Sequence, residues 1–494
     1  MTDQTAANQG HDQRQVRVEK LHALERMGIN PYPAHYKPDS LAAGLQEKYK
    51  DLPSESLTGD TVTVAGRIRA LRNSGMFIDL HDETGKIQVY SHGDHGLEDD
   101  SAKLLEYVDI GDIIGVRGTV RRTKRGELTV DSKQITMLCK SLLPLPEKHH
   151  GLTDVEKRYR QRYLDLIVNE QSKAVLLKRT RMVAKIRRFM EDRGFVEFET
   201  PILHTVVGGA TAKPFFTHHN ALGMDMSLRI ATELHLKRLV VGGFPRVYEM
   251  GRIFRNEGVS IKHNPEFTSI EFYQAYADYE DMMKLCEDLM EAVAIELNGT
   301  TKVTYGGKSI DFKGPFKRAK MTDLVKQATG VDFMTLDLDG AKAAVKKLGI
   351  AMTGKENWGQ LIALVFDEKC EHKLVQPTHV THYPTDISPL AKKCPEEPRL
   401  TQRFEIFANG WEIGNAFSEL TNPLDQRERF EEQVRMKAAG DEEANDMDED
   451  FLTALEYGMP PTGGMGIGIE RLAMLMTDSA SIRDILPFPT MRKE

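Results

Sequence analysis

The sequence has few of the residues that cross-link or metallate small domains. Its 494 residues include four cysteines, Cys139, Cys286, Cys370 and Cys394, and none of them forms a C-x-x-C pair. Their spacing therefore indicates neither a disulfide framework nor a zinc site. Reduced thiols are the simpler interpretation, and they favour a cytoplasmic protein.

Long apolar runs are also lacking, since no stretch of about 18 apolar residues occurs and no membrane span is predicted. The first residues, MTDQTAANQGHDQRQ, are too polar for a signal peptide. The formal net charge is -8, so the overall charge does not favour a nucleic-acid partner. Binding of nucleic acid would need local basic patches. The length predicts about three units, or one large domain with a smaller one.

Short alternating strands with Gly-containing turns occupy the chain from about Asp60 to Thr136. Five such strands predict a small Greek-key barrel, the OB-fold. We therefore expect an N-terminal tail and helical extension at residues 1–58, an OB-fold domain at 59–140, a proline-containing linker at 141–158, and a larger domain at 159–494.

The predicted barrel combines aromatic and basic residues. Phe77 and Tyr90 lie among arginines that include Arg69 and Arg121. OB-folds bind single-stranded nucleic acid by stacking bases on aromatic rings over a basic surface. The alternative is that Phe77 is a core residue and the arginines are solvated, and composition alone leaves both interpretations open.

The larger domain begins with helical periodicity in residues 171–194, followed by an alternating strand that Pro201 ends or places at a sheet edge. Later strands do not alternate regularly with helices. This pattern predicts an α+β domain in which helices flank an antiparallel sheet.

Residues 251–280 predict a hairpin that is dense in Arg, Glu, His, Asn and Phe. Arg255 lies on its first strand, and its planar fork could bind a carboxylate and a phosphate. On the second strand, Glu271 and Tyr273 are two residues apart and so share one face. Surface salt bridges are the simpler interpretation of each charge taken singly.

Residues 403–423 alternate acidic and apolar residues. Glu405 and Glu412 are candidate magnesium ligands, because Mg²⁺ takes one or two carboxylates together with substrate phosphates. Asn415, Phe417 and Glu419 share a strand face and would suit a small cationic substrate. Ordinary cross-strand pairing is the alternative.

The glycine-rich stretch PPTGGMGIGIERLAMLMT (460–477) matches neither the dinucleotide-binding fingerprint nor the P-loop. Its apolar strand leads into a helical segment, so the glycines favour close packing of a helix on a sheet. Arg471 is placed near the start of that helix.

The order of these segments resembles the three motifs of class II aminoacyl-tRNA synthetases. FRNEGVSIKHNPEFTSIEFYQAYADY, EIGNAFSEL and GGMGIGIERLAML are similar in particular to those of the lysyl-tRNA synthetase family. The resemblance implies that lysine and ATP form lysyl-adenylate and pyrophosphate, and that lysine then passes to the 3'-terminal ribose of tRNA-Lys.

The resemblance also implies roles for individual residues. Arg255 and Arg471 would be catalytic. The ATP site would comprise Arg255, Glu257, Lys262, His263, Asn264, Phe267, Glu405, Glu412 and Arg471, with magnesium on Glu405 and Glu412. The lysine site would comprise Gly209, Glu233, Arg255, Glu271, Tyr273, Asn415, Phe417 and Glu419. Arg69, Phe77, Gln88 and Glu127 would contact the anticodon.

The resemblance further implies a homodimer through residues 171–201 and no membrane partner. Three alternatives remain. A related synthetase for aspartate or asparagine would share the architecture, but an aspartate pocket should present cations. A paralogue that transfers lysine onto protein would lack the barrel. A nucleic-acid-binding regulator would have a decayed catalytic site, whereas Arg255, Phe267 and Arg471 are present.

Overall fold

A computed structural model describes residues 2–146, 152–440 and 444–493. The chain divides into two compact units, Met1–Thr153 and Asp154–Glu494. Part of the predicted linker, residues 147–151, lies outside the described residues. No helix within the described ranges is both long and apolar enough to cross a membrane.

The first unit is a closed five-stranded barrel with three helices. Its elements are α1 (Thr2–Arg26), α2 (Ala42–Lys48), β1 (Leu57–Arg72), β2 (Phe77–His81), β3 (Lys86–Tyr90), α3 (Asp99–Leu105), β4 (Ile113–Arg122) and β5 (Leu128–Cys139). The strand order is β1-β2-β3-β5-β4, and all pairs are antiparallel except β3 with β5. The OB-fold prediction is confirmed. Helix α1 begins at Thr2, so it extends into the stretch that we expected to be a tail.

The barrel closes around alternating apolar residues. Val62, Val64 and Ile68 of β1 are buried, as are Ile78 and Leu80 of β2. This period of two places the intervening polar residues on the outer surface of the barrel.

The second unit contains twelve helices within the described residues. They are α4 (Val155–Arg160), α5 (Arg162–Val168), α6 (Glu170–Glu191), α7 (Glu233–Val241), α8 (Tyr279–Asn298), α9 (Met321–Thr329), α10 (Leu338–Lys347), α11 (Trp358–Lys369), α12 (Pro423–Ala438), α13 (Glu449–Glu456), α14 (Ile469–Thr477) and α15 (Ile482–Ile485).

The strands of this unit form one large sheet and three small ones. They are β6 (Val196–Glu197), β7 (Leu203–His204), β8 (Phe216–His219), β9 (Met224–Leu228), β10 (Arg246–Phe254), β11 (Glu266–Ala275), β12 (Lys302–Tyr305), β13 (Lys308–Asp311), β14 (Lys317–Lys320), β15 (Thr378–Thr381), β16 (Lys393–Cys394), β17 (Glu397–Thr401), β18 (Arg403–Ala408), β19 (Trp411–Ser418) and β20 (Thr462–Gly468).

The large sheet flanked by helices confirms the predicted α+β fold, and its parallel pairs lie at its two edges. Its order is β14-β15-β18-β19-β20-β11-β10-β6. The six central strands are antiparallel, as the sequence predicted, but β6 pairs in parallel with β10 and β14 pairs in parallel with β15. Both exceptions are short edge strands, of two and four residues.

One face of the large sheet carries the core of this unit. Ile270 and Phe272 of β11 and Met465 and Ile467 of β20 are buried among side chains of α6, α8 and α14. Because side chains alternate along a strand, the residues between them point to the opposite face. Helices α6, α8 and α14 therefore cover one face of the sheet, and a cavity lies over part of the other face, beside α7.

Candidate active site

The open face of the large sheet forms the floor of a cavity of about 390 Å³, which we call the sheet cavity. Two rows of cross-strand neighbours run over this floor. They are Tyr273, Gly464, Phe417 and Arg403, and beside them Glu271, Gly466, Asn415 and Glu405. Each row has a glycine of β20 at its centre, so the floor is lowest where the glycines lie.

The glycine at the centre of the first row has no room for a side chain. A Cβ on Gly464 would collide with Oε1 of Glu419 and with the ring of Tyr273. By contrast, a Cβ on Gly466 would meet nothing closer than a carbon of Glu271 at 3.4 Å. Gly464 thus makes room for side chains of the candidate lysine site and not for a helix, whereas a Cβ on Gly463 would approach Met282 of α8 at 3.0 Å.

One end of the sheet cavity is strongly acidic. Glu233 is the first residue of α7, and Glu271 lies on β11. Glu419 follows β19; its side chain is fully buried, and its Oε1 occupies the position that a Cβ of Gly464 would take. The ammonium of Lys237, one turn along α7 from Glu233, donates to Glu233 at 2.5 Å and also pairs with Glu419.

Burial shifts the pKa values of this acidic cluster. It raises the pKa of Glu271 to about 7, and the nearby charge of Glu233 adds to the effect. Burial also raises the pKa values of Glu233 and Glu419, although Lys237 opposes it at both. For Lys237 itself burial lowers the pKa, but Glu233 and Glu419 outweigh it and the pKa is raised. A cationic ligand would relieve this concentration of carboxylates.

Arg255 lies at the end of β10, and its guanidinium stands 5.2 Å from the ring centre of Phe267 on β11. Its Nε is buried and has no hydrogen-bond acceptor among the described residues. Because an unpaired buried donor is costly, this nitrogen favours an anionic ligand in the sheet cavity.

Arg471 lies in the first turn of α14 and is held between two neighbours. One terminal nitrogen donates to the main-chain carbonyl of Glu412 at 2.8 Å and approaches its carboxylate at 3.2 Å. The other terminal nitrogen donates to Nε2 of His263 at 2.9 Å. Burial and the charge of Arg471 lower the pKa of His263, so its imidazole is the neutral acceptor that this contact needs.

Two carboxylates face the same end of the cavity as Arg471. Glu405 accepts from Tyr383 at 2.8 Å and from Arg403 at 2.7 Å. Burial and the charge of Glu412 raise the pKa of Glu405 to about 7. The two neighbouring carboxylates of Glu405 and Glu412 form an oxygen donor set that fits Mg²⁺, since the ion would offset their repulsion.

The loop between β10 and β11 supplies the remaining predicted ATP-site residues. Glu257 is exposed at the rim, and Lys262 stands 5.2 Å from the ring of Trp411. Asn264 is buried; it donates to the carbonyl of Glu266 at 2.7 Å. Its side chain thus anchors the loop from within.

The structure brings almost the whole predicted set together. The sheet cavity is lined by Gly209, Glu233, Arg255, Glu257, Lys262, His263, Asn264, Phe267, Glu271, Tyr273, Glu405, Glu412, Asn415, Phe417 and Arg471. Glu419 is fully buried next to Gly464 and is not itself one of the residues that line the sheet cavity. Sequence reasoning missed Lys237 and Arg403, and also the loop at residues 387–391 that lines the cavity. The spacing of Glu233 and Lys237, one helical turn apart, was the available signal for the first.

The barrel presents a separate cluster. The rings of Phe77 and Tyr90 face each other across β2 and β3, with centres 5.0 Å apart, and the guanidinium of Arg121 stands 5.0 Å from the Tyr90 ring. Such a cluster can stack a nucleic-acid base. Phe77 is half-buried, so it is not a pure core residue.

The other predicted anticodon residues share this side of the barrel to different extents. Gln88 is buried on β3; it donates to Thr129 at 2.9 Å and accepts from Arg72 at 3.0 Å. Glu127 pairs with Lys86 at 3.1 Å in a partly exposed contact. Arg69 lies half-buried on β1.

Comparison with known proteins agrees with both units. The family described as tRNA synthetases class II (D, K and N) matches residues 154–492, and the OB-fold nucleic acid binding domain matches residues 62–138. The chain belongs to the class II tRNA synthetases. The family resemblance drawn from the sequence motifs is thereby confirmed.

Relatives of this synthetase match over nearly the whole chain. The lysine–tRNA ligase of Rhizobium meliloti is 54% identical, with 100% of both chains covered. That of Agrobacterium fabrum is 55% identical over 98% of this chain and 97% of the relative. That of Nostoc punctiforme is 54% identical over 98% and 88%.

Proposed function

We propose that this class II synthetase is a lysine–tRNA ligase. The carboxylate of lysine attacks the α-phosphorus of ATP, and pyrophosphate leaves. A hydroxyl of the 3'-terminal ribose of tRNA-Lys then attacks the carbonyl of lysyl-adenylate, and AMP leaves. Catalysis of such displacements consists mainly of positioning and charge neutralisation, so no side-chain nucleophile is required.

The observation that carries this proposal is the charge of the acidic end of the sheet cavity. Among the described residues, the carboxylates of Glu233, Glu271 and Glu419 meet there with the ammonium of Lys237. The carboxylates thus exceed that ammonium by two, and free lysine brings two ammonium groups. Aspartate and asparagine, the other substrates of this class II group, carry one ammonium each and offer no cation for the second position.

The contacts in the cavity support a division of this end between the two amines. Glu233 and the main chain at Gly209 would take the α-ammonium, since Gly209 packs against the start of α7, where Glu233 lies. Glu419 and Tyr273 would take the ε-ammonium, with Phe417 along the aliphatic stem. Asn415 and Glu271 would complete the lining.

The basic residues of the cavity would hold ATP. The unpaired Nε of Arg255 suits the α-phosphate and the lysine carboxylate, and Phe267 beside it would stack on adenine. Arg471 would cover the other face of the base and reach the γ-phosphate. Glu257, Lys262 and His263 would line the phosphate end, and Asn264 would fix their loop.

Glu405 and Glu412 would hold magnesium, which would neutralise phosphate charge when bound. Arg403 and Tyr383 keep Glu405 oriented through two hydrogen bonds. These two hydrogen bonds hold the carboxylate of Glu405 at the cavity in the absence of the ion.

The barrel would recognise the anticodon of tRNA-Lys. Phe77 would stack on a base, supported by the adjacent ring of Tyr90. Arg69, Gln88 and Glu127 would contact neighbouring groups. Base stacking on an exposed ring contributes roughly 1–3 kcal/mol, which is enough to affect tRNA affinity measurably.

The segment at residues 171–201 would form a homodimer interface. Leu177 on α6 and Val196 on β6 are large apolar residues that are 51% and 47% exposed. Exposed apolar residues on one segment fit burial against a second copy.

Aminoacylation of unfractionated tRNA with lysine, aspartate and asparagine, each tested separately, distinguishes the candidate substrates. We expect charging with lysine alone. Preferential charging with aspartate or asparagine would overturn the assignment, and charging with none would favour a regulator with a decayed site.

A further inference from the structure

Lys237 has no role among the ligands assigned above, yet its ammonium lies inside the candidate lysine site. Its side chain is fully buried on α7. The ammonium faces the rings of Tyr273 and Phe417, 6.0 and 5.4 Å from their centres. The ammonium therefore lies inside the protein wall of the sheet cavity, next to two side chains that line the candidate lysine site.

The two oxygens of Glu419 have different neighbours. Oε2 pairs with the ammonium of Lys237, whereas Oε1 lies at the position that a Cβ of Gly464, a residue of the cavity floor, would occupy. Neither oxygen has a hydrogen bond of normal geometry within the described part of the chain. Lys237 thus anchors one side of this carboxylate and leaves the other side turned towards the cavity.

Glu233 is held in the same way. Lys237 donates to its Oε1 at 2.5 Å from the next turn of α7. A single buried ammonium therefore connects the two carboxylates that the proposed function assigns to opposite ends of the substrate.

We propose that Lys237 is a positioning residue of the lysine site, whose ammonium holds Glu233 and Glu419 in place and in their ionised forms so that they can receive the two amines of the substrate. This inference rests on the proposed function, because it presupposes that lysine is the ligand. It adds the ammonium of Lys237 to a lysine site that is otherwise defined by the carboxylates of Glu233, Glu271 and Glu419.

The electrostatics of the site make the ammonium necessary. The ionisable groups that face the cluster are Glu233 and Lys237 on α7, Arg255 after β10, Glu271 and Tyr273 on β11, Arg403 on β18 and Glu419 after β19. Without Lys237, three buried carboxylates would repel one another, and each would be neutralised most easily by taking a proton. A protonated carboxyl would bind an ammonium group poorly, since the charge that attracts it is lost.

The test is Lys237→Met, which keeps the length and apolar stem of the side chain but removes its charge. We expect the KM for lysine in ATP–pyrophosphate exchange to rise roughly tenfold or more at neutral pH. A rise of one pKa unit in a carboxyl lowers its ionised fraction by up to about tenfold. The KM for ATP should change little. Raising the pH should recover part of the lost lysine affinity, because the protonated carboxyls would then ionise.

The pH profile separates positioning from a purely structural role. A structural lesion would raise both KM values or lower kcat without moving the pH at which lysine affinity falls. Lys346→Met, an exposed lysine of α10, is the matched control and should behave as the wild type. If Lys237→Met does not fold, Lys237→Gln retains donors for hydrogen bonds and carries the same expectation.

Two outcomes distinguish this inference from the proposed function. Wild-type protein that shows no lysine-dependent exchange would overturn the function itself. Wild-type protein that activates lysine, beside a folded charge-removed variant with an unchanged lysine KM and pH profile, would overturn only the role of Lys237.

Discussion

Gly464 lies directly opposite Tyr273 across β20 and β11, and the absence of a side chain at Gly464 makes room for the ring of Tyr273 and the carboxylate of Glu419. The glycine-rich strand is therefore a constraint on the substrate pocket. It determines how closely the backbone of the cavity floor can approach Tyr273 and Glu419, the side chains proposed to bind the substrate.

Substitution of that glycine should damage lysine binding. In Gly464→Ala, the new methyl group would displace Tyr273 and Glu419, at a cost of about 1–3 kcal/mol for overpacking. We expect the KM for lysine to rise at least roughly tenfold, measured by pyrophosphate exchange. Gly59→Ala, on β1 of the barrel, is the matched control, since its methyl group would meet no protein atom within 4 Å. A thermal melting temperature lowered in both variants alike would argue against this account of Gly464.

Glu419 should matter far more for lysine than for ATP. Glu419→Gln keeps the shape of the side chain but removes the charge, and a charge-assisted hydrogen bond contributes roughly 1.5–3 kcal/mol. The KM for lysine should rise about tenfold to a hundredfold, with little change in the KM for ATP. Glu428→Gln, at an exposed position of α12, is the matched control. Equal effects on the two substrates would remove Glu419 from the ammonium site.

Lysine affinity should depend on pH near neutrality. The pKa of Glu271 is raised to about 7, chiefly by burial, so this carboxyl is largely protonated below that pH and ionised above it. A bound cation favours the ionised form, so binding releases protons and the affinity for lysine should increase as the pH rises through about 7. Calorimetric titration with lysine alone, in buffers of different ionisation enthalpy, measures both effects. A flat affinity profile, or proton uptake on binding, would contradict the assignment.

Phe77 on the barrel should act on tRNA and leave the chemistry of activation intact. Phe77→Ala removes the ring that is paired with Tyr90. Loss of one stacked base costs roughly 1–3 kcal/mol, so the KM for tRNA should rise about fivefold or more. Pyrophosphate exchange, which needs no tRNA, serves as the internal control. An unchanged KM for tRNA would count against base stacking at this position.

Much of the site could be predicted because its residues follow the simple period of a strand. Glu271 and Tyr273 alternate with the buried Ile270 and Phe272. The sequence therefore predicted that Glu271 and Tyr273 share one face of the strand. The long motifs then indicated the family. The strand before Pro201 was expected from its alternating residues, but its parallel pairing with β10 was not, and β14 was missed because four residues carry no clear periodic pattern.

Lys237 escaped prediction for a different reason. With Glu233 one turn before it, the pair resembles an ordinary surface ion pair on a helix, which is worth little. Its significance comes from Glu419, which is distant in sequence and joins the pair only when α7 packs against the sheet. A contact between two elements that are distant in sequence is determined by tertiary packing and has no local sequence signal.

The most direct test of the central claim is ATP–pyrophosphate exchange by the purified protein with each standard amino acid in turn. The acidic end of the sheet cavity, with Glu233, Glu271 and Glu419 around Lys237, predicts exchange that is strongest with lysine and far weaker with neutral or acidic amino acids. Strongest exchange with aspartate or asparagine, or no exchange with any amino acid, would contradict it.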